Sequence, residues 1–206
     1  MTLGSMVTVL LAVLIFLMTV TLHEVAHGVV AYLRGDQTAK LRGRLTLNPF
    51  KHIDPFWTVI FPLFLYLSTG GRFVIGMAKP VPVHFENLRR PKQDMIWVAL
   101  AGPAANIILA QFLLLAFRVS EFSILLIGIY FNLALAVFNL LPIPPLDGSR
   151  IVAGLLPKPL DREYLKIEPY GFLIVLLLYF TGLLYGWVVP GISWLAQFLG
   201  VPRIAF

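Results

Sequence analysis

The stretch Thr21-Leu-His-Glu-Val-Ala-His-Gly28 decides how the rest of the chain is read, because it sets His23, Glu24 and His27 inside an apolar run that begins near Met6. Ionisable side chains are costly at membrane depth, so a cluster of them there calls for a local reason. On a helix His23 and His27 stand one turn apart and can aim two imidazoles at one zinc ion, with Glu24 beside them as a candidate general base. The competing reading is two interfacial histidines and a chance glutamate, and it implies no chemistry.

Composition supplies the setting. Of the 206 residues 59% are hydrophobic and 13% charged, the mean hydropathy is +0.86, and several apolar runs approach the ~20 residues that span a bilayer. An integral membrane protein is expected. The net charge of +6 and pI near 9.8 come from basic residues placed between apolar runs. That placement suits anionic headgroups and membrane orientation, and no nucleic-acid partner is expected. With no cysteine, disulfides, thiolate catalysis and cysteine metal sites are excluded, so a bound metal must use histidine, carboxylate, backbone or water. The first apolar segment has neither a basic n-region nor a small-residue cleavage signal and is expected to stay in the mature protein. One membrane-embedded domain over 1–206 is expected, with a core over 6–151 and a C-terminal span and amphipathic tail over 169–206.

Outward from the His/Glu stretch, Met6 to about Leu33 reads as a helix. Lys40 to Leu47 alternates in part, as a short strand or an amphipathic loop would. Pro55 to Met77 is apolar but interrupted at Pro62 and at Ser68-Thr-Gly-Gly-Arg72, and Ala78-Lys-Pro-Val-Pro-Val83 reads as an extended strand or loop. Met95 to about Phe117 is a second helix holding Ala101-Gly-Pro-Ala-Ala-Asn106, where Asn106 serves an interhelical hydrogen bond or a substrate contact. Ile124 to about Leu141 is a third, ending in Asn139-Leu-Leu-Pro-Ile-Pro-Pro-Leu-Asp-Gly148, whose prolines hold Asp147 on an irregular segment. Phe172 to Trp187 or Val189 is the last spanning candidate, broken at Pro190-Gly191 before the tail Ile192 to Leu199. The expected fold is therefore an all-α polytopic membrane protein with a three-helix core, a re-entrant or partial hairpin, short membrane-associated β-strands and a C-terminal transmembrane helix.

Topology tests the metal site. If Pro55 to Met77 crosses the bilayer fully, Asp147 ends on the face opposite His23 and His27. If it enters and returns, Asp147 comes back to their face and nearly all basic loops gather on one side, as a cytoplasmic face requires. His23, His27 and Asp147 then offer two neutral nitrogens and one anionic oxygen, leaving a tetrahedral position for water on zinc. Glu24 takes the water proton and passes it to the leaving amine. A transmembrane substrate must open locally, and edge pairing at Arg42 to Leu47 or Ala78 to Phe85 would hold it extended.

The motifs His23-Glu24-Val25-Ala26-His27 and Asn139-Leu-Leu-Pro-Ile-Pro-Pro-Leu-Asp147-Gly148 resemble those of the site-2 protease, or M50, family of intramembrane zinc metalloproteases. Ala101-Gly102-Pro103 with Asn106, and Gly76-Met-Ala-Lys-Pro-Val-Pro-Val83, resemble its compact branch without a PDZ domain. The resemblance implies one Zn2+ per chain at His23, His27 and Asp147, catalysis by Glu24, and substrate-binding or active-site support from Asn106 and Asn139. It also implies a transmembrane protein or membrane-peptide substrate near the cytoplasmic side of a prokaryotic plasma membrane. Where the family often has paired glycines after the aspartate, this chain has Gly148-Ser149. A metal transporter and a catalytically inactive chaperone-like homologue are the alternatives, and homo-oligomerisation is left open.

Overall fold

The computed structural model describes residues 3–70, 76 and 78–202. Gly71-Arg72 of the expected break, Met77 and the last residues of the tail lie outside the described residues. Helix α1, Leu3–Leu33, is followed by the short α2, Thr38–Leu41. A 3-10 turn at Pro49–Lys51 and a π-helical turn at Pro55–Ile60 lead into α3, Phe61–Ser68. The long α4, Pro91–Ser120, and α5, Ile124–Asn139, complete the core with α1. Then come α6, Asp147–Leu155, α7, Leu160–Leu165, α8, Gly171–Phe180, and α9, Leu183–Leu199.

Two helices, Met6–Leu33 and Pro91–Ser120, are long and apolar enough to cross a membrane, which makes this an integral membrane protein. At 16 residues, α5 is roughly 24 Å long, short of the ~30 Å hydrocarbon core. Each core helix carries a buried stripe at the four-residue spacing that puts side chains on one face. In α1 it is Thr19, His23, His27 and Ala31; in α4 it is Val98, Gly102, Asn106, Ala110 and Leu114; in α5 it is Asn132 and Ala136 with Ile129 and Leu133 beside them. The outer half of α1 differs, with Leu10, Val13 and Leu14 at least half exposed, as a lipid-facing surface would be. Two apolar clusters flank the polar middle of these stripes. One joins α4 and α5 to Ala196 and Val201 at the C-terminal end, and the other joins Ala31, Leu88, Met95, Val98 and Ala153.

The expected β-strands are corrected: among the described residues there is no strand. The alternation around Lys40 to Leu47 would put Leu41 and Leu47 on one side of a strand, but both are exposed, at 80% and 54%. Lys40 and Leu41 finish α2, Gly43 turns the chain with φ +61°, and Arg44 N–H closes the turn on Ala39 O at 2.9 Å. The segment around Ala78 to Phe85 is extended, but several of its backbone groups are taken by side chains and loops. Lys79 N–H donates to His52 O, Val81 N–H to Glu24, and His84 N–H to Asp36, while the Arg44 guanidinium binds Lys79 O at 2.8 Å and Pro80 O at 3.3 Å. Pro80 and Pro82 have no N–H to offer, so no ladder forms.

The C-terminal span is also corrected. The break falls at Thr181-Gly182, not at Pro190-Gly191, and the helices on either side meet at 84°. Gly182 adopts φ +76°, a left-handed conformation that ends a helix at little cost for glycine. Pro190-Gly191 lies inside α9, where Gly191 rests on α5: a Cβ there would come within 2.8 Å of Val137 Cγ1. The apolar turn Pro55–Ser68 is too short to span. Gly76 lies back against it, its Cβ position 2.6 Å from Pro62 Cγ.

Candidate metal centre

Where the stripes of α1 and α4 meet, α4 must come close to two imidazoles, and glycine is what allows it. A Cβ on Gly102 would collide with both rings, lying 2.6 Å from His23 Cε1 and 2.7 Å from His23 Nε2. Asp147 arrives from the far side. The proline-rich segment after α5 folds beneath Leu140 and Leu141, where a Cβ on Gly148 would lie 2.5 Å from Leu141 O. Asp147 thus stands in the first turn of α6. Ser149 fits the position where a second glycine was expected, its hydroxyl donating to Leu146 O at 2.6 Å.

His23 Nε2 and His27 Nε2 are 3.1 Å apart, and each is 3.3 Å from Asp147 Oδ2. The ring nitrogens behind them are committed. His27 Nδ1 lies 2.7 Å from Val98 O, and His23 Nδ1 2.6 Å from Asn106 Oδ1. The backbone carbonyl Val98 O only accepts, so His27 Nδ1 carries the hydrogen and its Nε2 lone pair is free to face inward; with Asn106 Oδ1 turned toward it, His23 adopts the same tautomer. Asp147 Oδ2 is buried without a hydrogen-bond partner.

Three electron-rich atoms therefore face one another at 3.1–3.3 Å. A single proton bridges two of them at most, whereas a cation serves all three. The edge of a zinc tetrahedron with bonds of about 2.0–2.1 Å is about 3.3–3.4 Å, so these donors fit that ion. His23, His27 and Asp147 form the one group of potential metal ligands of this kind among the described residues.

Glu24, half-buried, follows His23 on α1 and accepts a hydrogen bond from Val81 N–H to Oε2 at 2.8 Å. Gly28, one turn on, permits that approach: a Cβ there would sit 2.8 Å from Val81 Cγ1. Asn106 joins the site through His23. The Asn139 amide donates to Leu135 O in its own helix at 3.0 Å.

Sequence reasoning missed several residues that hold this geometry. Asn132 and Thr19 are fully buried and continue the hydrogen bonding from Asn106 into α5 and back to α1. Their signal was present: Thr19 lies one turn before His23, and Asn132 is a lone amide in an apolar helix. Asp94 and Asp36 were also missed. Buried Asp94 accepts from Arg34 Nη1 at 3.1 Å and from Arg90 N–H at 2.8 Å, tying the end of α1 to the start of α4. Asp36 accepts from Thr38, His84 and Asn87, fixing the loop that delivers Val81.

Known proteins match this chain over most of its length. The model of peptidase family M50 matches residues 11–122 and 116–179. The provisionally named zinc metalloprotease YwhC of Bacillus subtilis (strain 168) is 40% identical over 185 residues, covering 83% of this chain and 80% of its own. Rip2 of Mycolicibacterium smegmatis, also provisionally named a zinc metalloprotease, is 36% identical over 193 residues, 90% of this chain and 73% of its own. Rip2 of Mycobacterium tuberculosis (strain H37Rv) is 32% identical over the same share of each chain, 90% and 73%. No solved structure gives a match.

Proposed function

The chain belongs to peptidase family M50 and is a zinc metalloprotease, and from that premise we propose that it hydrolyses peptide bonds of transmembrane substrates. The cut falls in the cytoplasm-facing half of a prokaryotic plasma membrane. One zinc ion is held by His23, His27 and Asp147, and the observation that carries this is the triangle of two Nε2 atoms and one carboxylate oxygen at 3.1–3.3 Å. Zinc bound there supplies Lewis-acid chemistry, activating water and polarising a carbonyl.

The chain's own residues do the rest. Val81 N–H steadies Glu24 through Oε2, leaving Oε1 to accept the proton of the attacking water and return it to the leaving amine. Water is thereby added across the peptide bond, its oxygen to the carbonyl carbon and its hydrogens to the oxygen and nitrogen products. Asn106 holds His23 in orientation, and Asn139 is the candidate substrate contact where α5 gives way to the turn carrying Asp147. Orientation follows from charge. Arg34, Arg44, Lys79, Arg89 and Arg90 cluster through their hydrogen bonds around the end of α1 that carries the site, which suits a cytoplasmic face.

Glu24→Gln separates the roles. The variant is expected to keep its zinc, read by metal analysis of folded protein in micelles, while cleavage of a transmembrane peptide falls by at least about 100-fold, the range for general acid–base catalysis. Cleavage at the parental rate would remove Glu24 from the mechanism.

A further inference from the structure

We propose that Asn132 is a positioning residue of the metal centre, fixing the tautomer of His23 from α5 through the amide of Asn106. This rests on the reading of His23 as a zinc ligand. It also answers a problem that reading leaves open. His27 Nδ1 meets a backbone carbonyl, which can only accept, so its tautomer is settled directly. His23 Nδ1 meets an amide, and an amide can face either way. Turned by half a rotation, Asn106 would offer its NH2 to His23 Nδ1. The imidazole would then carry its hydrogen on Nε2, aimed at the place where the metal belongs.

What removes the ambiguity starts at a backbone carbonyl on α5. Asn132 lies 2.8 Å from Gly128 O, so the atom facing that oxygen must be its NH2, which also reaches Thr19 Oγ1 at 2.9 Å. Asn132 Oδ1 is therefore turned toward Asn106 and accepts from Asn106 Nδ2 at 3.0 Å. Asn106 Oδ1 is then what remains for His23 Nδ1, at 2.6 Å. Each step permits one donor and one acceptor, so the direction set at Gly128 O passes to the Nε2 lone pair of His23. Both amides and Thr19 are fully buried, so no solvent competes for these bonds. The third core helix thereby acts on the metal centre without supplying a ligand.

The test uses the full chain in detergent micelles, zinc-free and labelled with 15N-histidine, with the His23 signal among the four histidines assigned by its loss in His23→Gln. In the parent the neutral ring of His23 is expected as the Nδ1–H tautomer; an Nε2–H ring would overturn the proposal without any variant. Asn132→Leu keeps the volume and removes both relay atoms. It is expected to move His23 toward Nε2–H and weaken zinc binding, measured against a competing chelator, by roughly tenfold, the low end for partners beyond the ligand shell. Thr19→Val removes one acceptor of the Asn132 amide but leaves Gly128 O to set its direction, and is expected to keep His23 as the Nδ1–H tautomer. A merely structural Asn132 would lower stability and leave the tautomer alone. Folded Asn132→Leu with parental zinc affinity and an Nδ1–H His23 would therefore sink the relay. A parent that shows Nδ1–H but takes up no zinc would overturn the metal reading and leave the relay standing.

Discussion

Asp36 and Asp147 are both withdrawn from solvent, Asp36 fully and Asp147 to 18% side-chain exposure, and their surroundings differ in kind. Around Asp36 four donors converge: Thr38 N–H and hydroxyl and the Asn87 amide to Oδ1, and His84 N–H to Oδ2 at 2.7 Å. Around Asp147 Oδ2 the near neighbours are two imidazole lone pairs at 3.3 Å. A buried carboxylate saturated with donors is an anchor for the chain. One that faces other acceptors is stable only when a cation completes it. The difference in burial between the two aspartates does not reveal this contrast in kind; their hydrogen-bond partners do.

Asp147→Asn should break this comparison most forcefully. Losing a charged ligand is expected to weaken zinc binding by more than the roughly 10–100-fold seen for outer partners, with little loss of stability in the zinc-free protein. Metal content after dialysis against a chelator measures the first, thermal unfolding in micelles the second. Retained zinc would put Asp147 in the same class as Asp36.

Asp36→Asn is the mirror experiment. An amide cannot accept at both former oxygens, so at least one buried donor is stranded and about 1–3 kcal/mol of stability is expected to go. Zinc per folded molecule should be unchanged. Acid sharpens the contrast further. Burial by itself would raise the Asp36 pKa, but the hydrogen bonds from Thr38, Asn87 and His84 outweigh it and hold the group below the usual carboxylate range. Its stabilisation is therefore complete above about pH 4, the ordinary aspartate value, and is lost as pH falls through the lower folded value. The Tm difference between parent and Asp36→Asn should shrink on acidification below that point.

Gly102→Ala is expected to act on the Asp147 side alone. The added methyl meets the two imidazoles and should cost about 1–3 kcal/mol, read as weakened zinc binding together with lowered stability. The smallest effect belongs to Ser149→Ala, which loses one hydrogen bond to Leu146 O and should cost about 1 kcal/mol in denaturant unfolding.

What could be read along the chain was whatever repeats locally or is costly to hide. His23 and His27 are one helical turn apart, so their convergence follows from helix geometry, and charged groups in an apolar run advertise themselves. Asp147 was legible because prolines and an aspartate end an apolar helix there. The strands around Lys40 to Leu47 and Ala78 to Phe85 were misread because period-two alternation and extended backbone also describe a capped turn and a proline-rich loop. Whether a ladder forms depends on free backbone groups, and here Glu24, Asp36, Arg44 and His52 claim them. The C-terminal break was placed at Pro190 because proline interrupts helices in general; the fold instead turned the chain at Gly182.

The amino-acid order by itself therefore determined the membrane class, the imidazole pair and its carboxylate partner, since these rest on spacing and on the cost of polarity in hydrocarbon. The tertiary structure alone decided which atoms of those side chains face one another, which buried aspartate is anchored and which is exposed to lone pairs, and which way each amide points. Those properties depend on donors and acceptors brought together from distant helices, and nothing in local sequence orders a partner that lies 83 residues away, as Asn106 does from His23.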